Sequence, residues 1–408
     1  MARPALKRGA RRGNASTRKP PGWNAAEALH MDMHMGSMLP FASAPLTGEE
    51  RVERWREMIA RCDRFYAARL ELGTYFLLAG NESEGRACLD RGLGDLLDLS
   101  ESPEEEVGEL TDNLERIWRY DVCRSLMERI VKRWPGIAWF HDALAHAAAR
   151  TGDFALATAS GLSAIELKPS CSFLSNMGLF ELMAGRLDEA GGYLERALSK
   201  DRKDAHALGN MRVLKYLRDH GGTFADYLVR PARREELEKL ANEEDFGPLD
   251  ERCGELNAAR FEAFAQDALD RGEIVPLPER LSTLRILFDF VAQVSADAYF
   301  LYEDVAWMRL NFERVMNKLI FKFRDADAAL VRETCSALAA FYDFLKRKGL
   351  ASAREVSAFG KRARALAERL TDRATRYATA RRDPALGEVE LESIREKLFG
   401  ADHLWPHI

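Results

Sequence analysis

A recurrence at 33–34 residues constrains this chain more than any other feature of its sequence. From Gly152 a step of 33 lands on Gly185, and the same step carries Phe154 to Leu187, Ala157 to Ala190 and Ala164 to Ala197. A step of 34 backwards takes Pro169 to Pro135, Phe154 to Tyr120, Ala157 to Cys123 and Ala164 to Ile130. Leu72-Gly73 and Gly80 show the same internal spacing earlier, and Asn176 recurs as Asn210. A period of this length with helical residue types predicts helix–turn–helix units stacked into a solenoid.

The residue types at the recurring positions fit that geometry. Gly80, Gly152 and Gly185 fall where a first helix must end, and a left-handed cap costs glycine least. Ala157 and Ala190 are small enough to let the two helices of a unit approach closely. Pro135 and Pro169 stop the second helix. Asp153 and Asp188 stand near the positive end of the second helix. The unit at about 104–137 has Trp118 in place of the turn glycine, and opens with Ser102-Pro103 followed by Glu105, a capping pattern.

These positions resemble the tetratricopeptide repeat superfamily: Leu144, Gly152, Phe154, Ala157, Ala164 and Pro169 in one copy, and Met177, Gly178, Gly185, Leu187, Ala190, Leu194, Ala197 and Leu198 in the next. The resemblance covers about 66–220, with four divergent copies and a closing helix at 205–219. It implies a groove lined by the first helices that holds a protein or peptide partner. Carried over by position, Trp139, Asp142, His146, Arg150, Asn176, Asn210 and Tyr216 are the expected groove residues. Asn suits such a role because its amide both donates and accepts. An alternative for Asn176 and Asn210 is a bond across to a neighbouring helix. The Lys/Arg and Asn clamp of chaperone-tail-binding members is not reproduced, since Ala67, Leu70 and Thr74 occupy the first-unit groove positions.

Beyond residue 220 the period is lost. Residues 221–260 are charged and carry Pro231, Gly247 and Pro248, and read as a connector with a short helix. Long amphipathic stretches at 276–296, 299–323, 325–349 and 352–382 predict a C-terminal helical bundle over 261–400. The expected fold is all-α: a tetratricopeptide-like array at 50–220, then the bundle. The bundle would serve as a second interface or as a homo-oligomer contact.

Composition narrows the function classes. A chain of 408 residues with 47% hydrophobic and 31% charged residues is that of a folded domain protein, and a net charge of −5 argues against general polyanion binding. No stretch nears the ~18 apolar residues of a membrane span. Six scattered cysteines without a CxxC pair favour reduced thiols and a cytoplasmic location. Residues 1–45 read as a disordered basic tail, with seven basic and no acidic residues over 1–22 and no secretory apolar core. Met31, Met33, Met35 and Met38 leave the start open between Met1 and a downstream methionine.

No nucleotide-binding, hydrolase, zinc-protease or kinase motif occurs. The expectation is therefore a non-enzymatic scaffold without cofactor or metal. "HMDMHM" (30–35) offers soft ligands for Cu(I), but reads as a flexible start segment with no pre-organised site. His141 and His146 are five apart, and His403 and His407 flank Pro406, so neither pair reads as a ligand set. The helix at 352–382 carries nine basic and three acidic residues and, with residues 1–22, supports the alternative of a nucleic-acid-associated regulator. Its other reading is an ordinary solvated bundle face. A second alternative is an enzyme activity in the C-terminal block.

Overall fold

The structure is a computed structural model and describes residues 19–38, 48–100, 103–243, 246–295, 298–322 and 328–400. Among the described residues it is all-α. Two helices lead, α1 (Trp23–Met38) and α2 (Gly48–Arg61). Four helical pairs follow: α3 (Tyr66–Leu78) with α4 (Glu82–Leu99), α5 (Glu104–Arg116) with α6 (Tyr120–Arg133), α7 (Ala138–Arg150) with α8 (Phe154–Leu167), and α9 (Cys171–Met183) with α10 (Leu187–Lys200). The closing helix is α11 (Ala205–His220). The first helices begin at 66, 104, 138, 171 and 205; the last three steps keep the 33–34 residue period, while the first is longer. They form one layer, with α3 beside α5, α7 beside α9 and α9 beside α11, while α4 lies beside α6 in the other.

Local chemistry sets these pairs. Gly80, Gly152 and Gly185 hold φ of +80°, +80° and +77° at the turns. Trp118 takes the same left-handed turn at +59°, the one non-glycine with positive φ among the described residues. An L side chain there costs of order 1 kcal/mol or more, so surrounding packing must hold it. Trp118 is buried, sits edge-on to Tyr120 at 5.4 Å, and lies under the Arg150 guanidinium at 5.7 Å. Asp153 caps α8 through Leu156 N–H, Ser170 caps α9 through Phe173 N–H, and Asp204 caps α11 through Ala207 N–H. Ser102 lies outside the described residues. The α3–α4 hairpin closes over two glycines: a Cβ on Gly73 would stand 2.9 Å from the Gly85 carbonyl oxygen. Arg119, buried to 1% exposure, ties the second unit to the first through paired 2.7 Å bonds to Glu82.

After the array come α12 (Phe224–Leu228), α13 (Arg234–Ala241) and α14 (Gly247–Asp270), then α15 (Leu277–Val294), α16 (Val305–Lys322), α17 (Ala328–Arg347), α18 (Ala353–Arg382) and α19 (Glu388–Phe399). Two expectations need correction here. Residues 221–260 are not a connector, because α14 runs through the 260/261 boundary. Arg260, 1% exposed, folds the segment back by donating to the carbonyls of Leu228 (2.6 Å) and Arg230 (2.5 Å) and pairing with Glu303. The expected helix at 299–323 starts later, at Val305. Asn257 holds the preceding loop by donating to the Phe300 carbonyl and accepting from Tyr302 N–H.

The tail expected at 1–45 is also corrected in part. Trp23–Met38 is helical and anchored, with Trp23 edge-on to Phe65 at 5.0 Å and to Tyr66 at 5.3 Å. Residues 1–18 and 39–47 lie outside the described residues.

The block and the array share a core. One continuous buried cluster runs from Trp23 through Ala147 in the array and from Leu228 through Phe399 in the block. The block meets the array along the ends of the first helices: Val275 against Gly80, Ile286 beside Leu78, and Glu262 on Arg150. Units three and four have smaller clusters of their own, built largely from alanine and leucine.

Candidate functional site

Most of the expected groove residues are joined to one another or to neighbouring helices. Asn176 Nδ2 donates to Asp142 Oδ2 at 2.9 Å, and Asn210 Nδ2 donates to the Ser175 carbonyl at 3.1 Å. Burial raises the Asp142 carboxyl to about 6, against the lowering effect of the Asn176 amide and of His146. His146 is buried, 3.1 Å from Glu115 and stacked on Phe180. Arg150 pairs with Glu262 of α14 and donates to His146 Nε2 at 3.2 Å. Trp139 packs edge-on to Phe140 at 4.4 Å. His141 bonds the Pro135 carbonyl, so it and His146 do not converge. The amides of Asn176 and Asn210 therefore bridge adjacent first helices in this structure.

Tyr216, the last of the set, opens onto something different. It lines a cleft of about 580 Å³ between α11 and the α12–α14 segment. The walls carry Arg212, Lys215, His220, Arg230, Arg233 and Arg252 against Asp219 and Glu255. Glu255 is already engaged, bonding Arg212 at 2.5 Å and Arg252 at 3.3 Å. Aromatic rings form one side: Tyr216 stacks on His220 at 4.3 Å and meets Tyr227 edge-on at 5.3 Å.

Arg230 is the unusual group. It is 7% exposed, its guanidinium lies 3.9 Å over the Tyr227 ring, and its Nη1 donates to the Tyr227 carbonyl. Its buried Nη2 meets no acceptor. Burial and the cations of Arg252 and Arg260 depress its pKa below the ordinary arginine value. Among the described residues Arg230 has no carboxylate partner of its own, whereas its neighbours are paired, Arg252 with Glu236 and Glu255 and Arg260 with Glu303. Such a site favours a carboxylate or another anion arriving from outside. The residues 212–252 that build it fall partly in the stretch that reads as a connector, which is why sequence reasoning found only Tyr216.

The C-terminal block holds a second cleft, about 550 Å³, lined by Trp118, Cys253, Asn257, Glu262, Arg285, Asp289 and Tyr302 among others. Asn257 and Glu262 there are engaged in structural bonds. Burial holds the Cys253 thiol up at about 11 and the Tyr302 hydroxyl at about 12, so neither is activated at neutral pH. On the basic helix α18, Arg362, Arg369 and Arg373 converge on Glu313 at 3.4, 2.6 and 3.1 Å. Part of its charge is thus neutralised inside the bundle. His403 and His407 lie outside the described residues. No helix among the described residues is long and apolar enough to cross a membrane.

No protein-family model matches the chain. No curated protein matches it either. Among solved structures it is similar to the crystal structure of the P58(IPK) TPR domain, at 13% identity over 85% of this chain and 88% of that one, with a TM-score of 0.23. At that score the likeness adds nothing to what the chain's own helix spacing establishes, a helical-repeat solenoid followed by a helical block.

Proposed function

We propose that the chain is a binding scaffold that takes a protein partner through an acidic segment seated in the cleft between α11 and α12–α14. The observation that carries this reading is Arg230, buried, short of an acceptor at Nη2, and surrounded by Arg252, Arg233, Arg212 and Lys215. A carboxylate side chain would supply the acceptor that Nη2 lacks, while Tyr216, His220 and Tyr227 supply apolar contact area. An extended acidic peptide suits a cleft of this size at the end of a preformed array. The inner face of the first helices, with Trp139, Asp142, Asn176 and Asn210, would extend the contact.

The test uses the full chain with a labelled Glu/Asp-rich peptide, and in parallel the capture of partners from extract. Lys215→Glu with Arg233→Glu reverses charge at two exposed positions and leaves the core untouched. Peptide binding should weaken at least tenfold, and fall with added salt. Unchanged binding, or no binding by the wild type at low salt, would remove the cleft from the account. Asn176→Ala with Asn210→Ala separates the inner face: loss of captured partners in that variant alone would move the contact there. A mobility shift with nucleic acid that persists in the charge-reversed variant would instead favour a polyanion role for α18.

A further inference from the structure

The opposite end of the array holds a cluster that the binding reading does not use. His30 and His34 are four apart on α1, so their rings project from one helical face. Their Nε2 atoms stand 3.2 Å apart and each lies 2.9 Å from Oε1 of Glu71 on α3. We propose that His30 Nε2, His34 Nε2 and Glu71 Oε1 form a binding site for one divalent transition cation of the Zn²⁺ class, which fastens α1 to the first repeat unit.

Three features of the geometry support this. First, ligands about 2.0 Å from a tetrahedral ion stand about 3.3 Å apart. The triangle here measures 2.9, 2.9 and 3.2 Å, so an ion at its centre needs only small outward movement. Second, the other Glu71 oxygen accepts from the Trp55 indole N–H at 2.5 Å. That bond holds the carboxylate with Oε1 toward the imidazoles, the kind of outer support that metal carboxylates receive. Third, the donor set is two imidazoles and a carboxylate, which suits Zn²⁺ rather than Ca²⁺ or Mg²⁺. The Met31 and Met33 thioethers are not counted in it: Met31 is 62% exposed and Met33 packs toward the core. The segment expected to be a flexible start with no pre-organised site is thus a helix with both histidines in place. Glu109 lines one small cleft with Glu71 between α3 and α5 but stands outside the ligand triangle, so the fourth ligand would be water.

The experiment takes the full chain stripped with chelator and titrates it with Zn²⁺ by calorimetry, using Co²⁺ as the spectroscopic probe. The expected result is one ion per chain and the visible bands of four-coordinate Co²⁺. His34→Gln is chosen because that side chain is 51% exposed, so the fold is retained, as circular dichroism would verify. It should weaken binding by more than the 10–100-fold, roughly, that loss of an outer partner costs. Trp55→Phe should weaken it about tenfold and shift the Co²⁺ bands, since Trp55 is a positioning residue. Absence of stoichiometric Zn²⁺ binding, or equal affinity in the His30→Gln, His34→Gln double variant, overturns the proposal. The site is remote from the cleft, so either reading can fail without the other.

Discussion

The two ends of the array solve the same problem differently. A repeat unit cannot bury both of its faces alone, so a solenoid must cap its ends. At the first end, α1, α2 and the C-terminal block do this with large aromatic residues in one continuous core. At the far end, units three and four rest on small clusters such as Ala145, Ala148, Ala157 and Met177, or Leu182, Leu194 and Leu214. There the closing helix packs on α9 and α10 and is met on its outer side by α12 and the charged face of α14. One end is sealed, and the other keeps an open cationic cleft. On the proposed reading, stability and the partner cleft would lie at opposite ends of the array.

Mutations in the two cores break the comparison most strongly. Phe341 is fully buried and meets Phe264 at 5.3 Å and Phe288 at 5.4 Å. Phe341→Ala should cost about 3–5 kcal/mol, and urea unfolding should show the array and block lost in one transition. Leu194→Ala, in the far cluster, should cost about 2–4 kcal/mol while hydrogen exchange accelerates chiefly in α9–α11. Next comes Arg260→Met, which leaves the Glu303 carboxylate buried without its partner. A loss of about 3 kcal/mol is expected in the same unfolding assay, since breaking one side of a buried pair is costly.

Within unit three, stability should depend on pH through one buried carboxyl. The Asp142 carboxyl is raised by burial to about 6, so the folded state holds its proton more tightly than the unfolded state. Its contribution is therefore fully favourable below the unfolded carboxyl value and is lost as pH rises toward and past 6. Asp142→Asn should remove that slope and make the variant more stable than wild type at pH 7, by on the order of 3 kcal/mol. Equal pH dependence in the two proteins would show that the carboxyl is not held protonated.

The smallest expected effect concerns Trp118. Both Trp118→Ala and Trp118→Gly lose the indole packing, but only glycine relaxes the +59° turn. Glycine should exceed alanine in stability by about 1 kcal/mol, the reverse of their order in a helix.

The elements legible from sequence were those set by local chemistry. The turn glycines, the helix-stopping Pro135 and Pro169 and the small residues Ala157 and Ala190 act within a few residues of their own position, so the period reported the architecture. Long-range pairing was not legible. Arg260 sits in a charged stretch, and nothing in its neighbours tells that it is buried against Leu228 and Arg230 carbonyls. Glu71 lies 37 residues from His34, and α1 has methionine and histidine on several sides rather than one apolar stripe. Only the four-residue histidine spacing was readable there. Asn176 and Asn210 lie on α9 and α11, but a period does not tell which way an amide donates.

Hydrogen exchange on the full chain, with and without a bound acidic partner peptide, tests the central claim most directly. Peptide should slow exchange in α11–α13 and the first turns of α14, while α3, α5, α15 and α17 stay the slowest-exchanging helices in both states. Protection confined to α3–α5 or to α18, with 212–256 unchanged, would contradict it.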